Sequence, residues 1–257
     1  MKVNVPIINL FGVPIAKLNM AQTIDVVNDA IERGEQLHHS VVNAGKVVLM
    51  QKDEELRKSV VNADLINADG MAVVWAAKLC RKTLPERVTG IDLMINLVKL
   101  AYEEGHTCYF LGAKKEIVEK VVEIYSEQYS ENVIAGYHDG YFDVEDSADI
   151  AKKISDSGAN MLFVAITSPK KEIFLDNNKE HLSNVNMIMG VGGSFDVVAG
   201  KVDRAPVWMQ NAGLEWFYRF IQEPGRMWKR YIIGNWNFFK LTCREMFTKR
   251  ESILYSS

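Results

Sequence analysis

Asp69 followed by Gly70 is the pair in this chain whose type and setting best suit chemistry. The short apolar run ending at Asn67-Ala68 reads as a buried strand, and the apolar repeat from Met71 to Leu79 reads as the helix that follows. A carboxylate there stands at the carboxyl end of a strand, the side on which open α/β sheets bind their ligands. Gly70 lets the backbone turn sharply or lets a ligand come close. Aspartate is also a good helix cap, and the strand-helix pattern alone does not choose between the two roles. Asn43, at the end of the apolar run Leu37 to Val42, offers a donor and an acceptor that suit sugar or phosphate recognition. It is equally an ordinary turn residue. Arg87 lies just before a helix start marked by Thr89 and Asp92, where a guanidinium could hold a diphosphate through paired hydrogen bonds or simply pair with Glu86 or Asp92.

Other strand ends add candidates for anion binding. Gly112-Ala113 and Gly192-Gly193-Ser194 could present backbone N–H groups to a phosphate, although glycines at strand ends are as often turn devices. In Thr167-Ser168-Pro169-Lys170-Lys171-Glu172, Pro169 fits a first helical turn and Ser168 its cap. Two lysines there add positive charge to the positive end of the macrodipole, a conflict that a bound anion resolves, unless both lysines are solvated. Neither a GxGxxG fingerprint after the first strand nor a GxxxxGK[ST] loop occurs. The five histidines show no ligand spacing, no Asp-x-Asp triplet is present, and no metal site is expected.

The elements that must position these residues follow from periodicity. Val5 to Leu10 and Val13 to Leu18 around Phe11-Gly12 predict a tight hairpin. Asn19 and Gln22 resemble a capping box opening a helix through Ile31 to a stop at Gly34. After the helix from Thr89 to Glu104 come strand Thr107–Leu111, helix Lys114–Tyr129, a strand near Val133–Ala135, helix Asp146–Ser157, strand Met161–Ile166, a helix from Pro169 and strand Met187–Val191. Strands alternating with helices imply crossovers and a mostly parallel sheet covered on both faces, here a Rossmann-like α/β sandwich over residues 1–204. A chain of 257 residues, 48% hydrophobic, can bury a core of that size. A formal charge of −3 argues against a general nucleic-acid binder. Cys80, Cys108 and Cys243 lack pairing or ligand spacing and read as free thiols of a reducing compartment. The first residues alternate in polarity, unlike a secretory leader, and no run is long and apolar enough to span a bilayer.

Residues 205–257 change character. They hold four of the five tryptophans (Trp208, Trp216, Trp228 and Trp236) among cations that include Arg219, Arg226, Lys229, Arg230, Lys240 and Arg244. Aromatic rings beside cations on amphipathic helices suit an anionic membrane surface. The competing expectation is a helix pair packed on the sheet or on another subunit, and the density of apolar and basic residues favours the membrane.

The chain resembles the WecG/TagA/CpsF glycosyltransferase family along nearly its whole length. The resemblance rests on Ala68-Asp69-Gly70-Met71, Leu84 through Gly90, Gly136 through Phe142, Ser168-Pro169-Lys170, Gly190 through Asp196, Arg204-Ala205-Pro206, and Gly213 through Trp216 to Glu223-Pro224. It implies inverting, metal-independent transfer of an N-acetylmannosamine-type sugar from a UDP donor to a polyprenyl-diphosphate-linked sugar, with no cofactor. It further implies a cytoplasmic enzyme, peripheral on the inner face of the membrane, and a homo-oligomer. By resemblance Asp69 is the general base, a task suited to a positioned carboxylate. Asn43 is then an active-site asparagine, Arg87 a ligand of the donor diphosphate, and Asp196 a residue near the nucleotide. Gly112, Ala113, Tyr137, Lys171 and Gly193 are expected to line the substrate site, with Arg219 and Arg226 of the membrane-targeting appendage folding over it.

Two positions depart from the family pattern. Val41 stands where the family usually has Thr, and Lys171 where it usually has Gln. Losing a hydroxyl and gaining a cation changes which donor groups can be bonded, and an acidic sugar or a phosphate is one expectation. Neutral drift is another. Mannosyl or glucosyl transfer in exopolysaccharide synthesis, a non-catalytic UDP-sugar sensor at the membrane, a Rossmann oxidoreductase and a scaffold are the remaining function classes.

Overall fold

The computed structural model describes residues 3–222, 224–225 and 233–254. Six strands form one parallel sheet: β3 (Leu37–Val42), β4 (Leu65–Ala68), β5 (Cys108–Gly112), β6 (Ile134–His138), β7 (Met161–Ala165) and β8 (Met187–Gly190), in the order β4-β3-β8-β7-β5-β6. β1 (Ile7–Leu10) and β2 (Val13–Ala16) make a separate antiparallel hairpin in the expected place. Its turn is tight, with Phe11 and Gly12 both at positive φ.

Alternation along the buried strands divides the core by face. On β7, Met161 and Phe163 join a cluster with Leu93, Leu97, Val118, Val121 and Phe195, whereas Leu162 and Val164 join Ile154 and Leu175 on the other face. The first face is therefore covered by α1 (Met20–Glu32), α5 (Gly90–Glu104), α6 (Lys115–Gln128) and α9 (Ser194–Val198). The second is covered by α2 (Ala44–Leu49), α3 (Glu54–Val61), α4 (Met71–Leu79), α7 (Ser147–Asp156), α8 (Lys170–Asn177) and the hairpin. This is the Rossmann-like three-layer arrangement read from the sequence.

Local signals held where a cap or a clear period carried them. Asn19 and Gln22 form the capping box of α1. Thr89 caps α5 by accepting from Asp92 N, and Gly105 ends that helix in the left-handed region. Two helices, α2 and α3, were not expected from the sequence: α2 is only six residues long, and α3 is announced mainly by its cap, Asp53 accepting from Leu56 N at 2.9 Å. β6 runs to His138 rather than ending near Ala135, because it is an edge strand whose pairing with β5 continues through Gly136, Tyr137 and His138. Ser168 does not cap α8; Pro169 holds that position, and the serine hydroxyl donates to Glu172 instead, at 2.9 Å.

The C-terminal segment packs on the core. Ala205 and Met209 are buried, and Met209 lies on α10 (Val207–Asn211), which precedes α11 (Glu215–Gln222). Between them Gly213, at φ 72°, sits so close to α4 that a Cβ there would lie 2.7 Å from the Met71 side chain. The last helix, α12 (Gly234–Leu254), buries Phe238 against Phe11 with ring centroids 5.3 Å apart, and Lys82 bonds both Asn9 O and Glu245. The helix-packing expectation thus holds for one face of α12. Its other face leaves Trp236 and Phe239 more than half exposed, with Lys240 over the Trp236 ring. No helix among the described residues is long and apolar enough to cross a membrane.

Candidate active site

Parallel pairing places the ends of β3 and β4 side by side, with Val41 opposite Asn67 and Val42 opposite Ala68. The next residue on each strand is a sequence-derived candidate, Asn43 and Asp69, and Asp69 N donates to Val42 O at 2.8 Å. Asn43 serves twice. Its side-chain oxygen caps α2 by accepting from Lys46 N at 3.0 Å, while its amide nitrogen reaches Asp69 Oδ2 at 3.5 Å. The turn role and the site role are compatible because an asparagine carries both an acceptor and donors. Asp69 is not the cap of α4. That position belongs to Gly70, whose φ of 105° no side-chain-bearing residue adopts easily.

Next to this pair lies a buried ion cluster. Lys46 Nζ donates to Val41 O at 2.6 Å and pairs with Glu172 Oε1 at 2.8 Å, and Lys171 Nζ meets the same oxygen at 2.7 Å while also bonding Ser168. Burial lowers the Lys171 pKa to about 8, helped by the neighbouring Lys46 charge and opposed by Glu172 and Asp69. For Glu172, burial alone would raise the pKa, but the two lysines outweigh it and hold the group at about 2. The Lys171 stem lies along the glycine end of β8: a Cβ at Gly190 would stand 3.0 Å from its Cδ. Val41 is buried, and its side chain reaches toward Gly90 at the start of α5.

Arg87 comes to the same edge through Val88, whose N donates to Ala68 O at 2.8 Å. Its guanidinium pairs with Glu215 of α11, and not with Glu86 or Asp92 as a surface pair would. Glu86 instead accepts from Met20 N at 2.6 Å, and Asp92 pairs with Arg204 at 2.7 Å. Arg204 Nε also stands 3.7 Å from Glu215, so the C-terminal segment is tied to the site by charge.

Not every expected residue converges here. Connections leave β5 and β7 in opposite directions, the arrangement that opens a ligand crevice in such sheets. At that point, however, the Ala113 amide donates to Ala165 O at 3.0 Å, and a Cβ at Gly112 would fall 2.6 Å from the Ala165 carbonyl. The Gly112-Ala113 turn therefore exists for close strand contact, and its Ala113 N–H is not turned to a phosphate. Likewise Gly192 N donates to Val164 O at 3.3 Å and Ser194 N to Val191 O at 3.3 Å, while Gly193 is exposed. Tyr137 is exposed on β6, at the opposite edge from β4, five strand spacings or about 24 Å away. Asp196, in the first turn of α9, accepts from Lys201 at 3.0 Å. Arg226 and the side chain of Arg219 lie outside the described residues, as do Trp228, Lys229 and Arg230.

Lys46, Glu172 and Glu215 were not singled out as site residues from the sequence. Lys46 and Glu172 pair with each other across 126 residues and Glu215 pairs with Arg87 across 128, separations that no local spacing reports. Among the described residues, no group of three or more His, Cys, Asp or Glu could hold a metal ion.

A Rossmann-like sheet with a carboxylate and an amide at adjacent strand ends, beside buried and partly buried cations, makes the carboxyl edge of this α/β protein its candidate ligand site. Comparison with known proteins makes this specific: the model of the glycosyl transferase WecG/TagA/CpsF family matches residues 8–252, and the chain belongs to that family. It is 38% identical over 193 residues, 75% of this chain and 74% of the relative, to N-acetylglucosaminyldiphosphoundecaprenol N-acetyl-beta-D-mannosaminyltransferase of Bacillus subtilis. The protein of the same name from Bacillus spizizenii is 38% identical over 171 residues, 66% of this chain and 65% of the relative. The chain is a glycosyltransferase.

Proposed function

We propose that this glycosyltransferase moves an N-acetylmannosamine-type sugar, or its uronic acid, from a UDP donor to a polyprenyl-diphosphate-linked sugar, with inversion and without a metal ion. The names of the relatives support the sugar and the lipid-linked acceptor. The observation that carries the mechanism is Asp69 at the end of β4 with the Asn43 amide 3.5 Å from its carboxylate. Asp69 takes the proton of the acceptor hydroxyl as that oxygen attacks the anomeric carbon, and the bond from that carbon to the diphosphate breaks with its electron pair leaving on UDP. Asn43, anchored as the cap of α2, orients the carboxylate. Arg87 stabilises the departing diphosphate once the Glu215 carboxylate yields it.

Exposed Trp208, Trp216, Phe217, Ile221, Trp236 and Phe239 on the C-terminal helices support a peripheral position on the inner membrane face, where the lipid-linked acceptor is met. The test is transfer from a panel of UDP-sugars to a short-chain polyprenyl-diphosphate acceptor, with and without EDTA. Turnover of one donor, unaffected by EDTA and lost in Asp69→Asn, is expected. Turnover of UDP-mannose or UDP-glucose instead would move the reading to exopolysaccharide hexosyl transfer, and UDP binding with no turnover would make the protein a nucleotide-sugar sensor.

A further inference from the structure

Two ammonium groups, Lys46 and Lys171, share a single carboxylate oxygen, Glu172 Oε1, which also accepts from Ser168. The second oxygen of Glu172 is buried and has no hydrogen-bond partner. Lys46, Lys171 and Glu172 are each no more than 7% exposed, so the cluster carries an excess positive charge out of water. A buried charge is strongly unfavourable unless something completes the pair, and here the Asp69 carboxylate offsets the excess. The charged groups facing Lys171 are Lys46 from α2, Glu172 from its own helix and Asp69 from the end of β4. Asp69 supplies negative charge only while ionised. In the proposed reaction it takes up a proton, and at that moment the excess cation faces an Asp69 that is neutral. Lys171 is the member nearer the strand ends: its stem follows Gly190 and Gly192 along the carboxyl end of β8, where a Cβ at Gly190 would stand 3.0 Å from it. Lys46, by contrast, is tied to Val41 O within the core.

Building on the UDP-sugar reading, we propose that Lys171 is a specificity-determining residue that supplies the counter-charge to an anionic oxygen group of the donor. That group has two sources, the diphosphate common to every UDP-sugar or a carboxylate on the transferred sugar, and the chemistry recognised is the same. If it is the diphosphate, the charge is used well in time as well as in place, because negative charge grows on the leaving group while Asp69 loses its own.

The experiment measures equilibrium binding of UDP, UDP-N-acetylmannosamine and its uronic-acid form to full-length wild type, Lys171→Gln and Lys171→Arg. A charge-assisted contact of this kind predicts a loss of about tenfold to a hundredfold in Lys171→Gln, largely kept in Lys171→Arg. An equal loss for all three ligands assigns the diphosphate; a loss confined to the uronic-acid donor assigns the sugar carboxylate. Wild-type affinity for the affected ligand should also weaken as pH rises through about 8, where Lys171 gives up its proton, with a flat profile in Lys171→Gln. Unchanged affinity and selectivity in a folded Lys171→Gln would overturn the proposal. Failure of the underlying reading looks different, since wild type itself would then bind and turn over none of the UDP-sugars.

Discussion

The two ion networks at the carboxyl edge use similar groups in unlike surroundings. Lys46, Glu172 and Lys171 have side chains only 5–8% exposed, all drawn from the sheet and its own helices. Arg87, Arg204 and Glu215 are 15–27% exposed, and they join the α/β core to α11. In the first network, water cannot replace a lost partner, so Lys46 and Glu172 are held to one arrangement. In the second, water screens the charges and can take over from Glu215, so the same kind of contact can open. The difference separates the networks: one is a buried cluster beside Asn43 and Asp69, and the other is a partly exposed tie between Arg87 and α11 that can be released.

The strongest test lies between them. Asp69→Asn should lower transfer by about a hundredfold to ten-thousandfold with UDP affinity little changed, as measured by steady-state turnover and calorimetry. Comparable turnover in that variant would remove Asp69 from the role of base.

Next in size is Glu172→Gln, which leaves two buried ammonium groups without their carboxylate and should cost about 3–5 kcal/mol in denaturant unfolding. Glu172 has its folded pKa depressed from 4.5 to about 2, so its contribution is present above 4.5 and is lost as pH falls toward 2. The stability gap between wild type and Glu172→Gln should therefore narrow across that window. A pH-independent gap would mean that packing, and not charge, accounts for the loss.

Phe238→Ala probes the apolar anchor of the C-terminal segment. Removing a largely buried ring should destabilise the docking of α12 by about 3 kcal/mol and speed proteolysis within that helix, while the sheet melts nearly as before. Equal loss throughout the molecule would show that α12 is part of the core's cooperative unit.

The smallest expected effect belongs to the partly exposed network. Glu215→Gln removes the competitor for Arg87, worth about 1 kcal/mol at this exposure, and should tighten UDP binding by roughly fivefold. Weaker binding would mean that Glu215 organises Arg87 for the ligand instead of occupying it.

Where a signal is local, the sequence was sufficient. The capping box of α1, the Thr89 cap and Gly105 stop of α5, the limits of α4 and the hairpin at Phe11-Gly12 all depend on contacts within a few residues. Strand-helix alternation likewise implied the parallel sheet and put Asp69 at a strand end, since crossovers force parallel neighbours. Six residues show too little period to announce α2, and α3 is announced mainly by its cap.

What only the tertiary structure decided is which strand ends are neighbours. Strand order brings Asn43 beside Asp69 and sends Tyr137 to the far edge, and periodicity contains no information on that order. The Ala113 amide looked available in sequence and is bonded to Ala165 in the fold. Lys171 read as a charge at a helix start, solvated or anion-bound; burial against Gly190 and the shared Glu172 make it a desolvated cation. The physical reason is common to all three. A residue's type and its near neighbours set what it can bond, but its desolvation and its distant partners arise only when the chain folds back on itself.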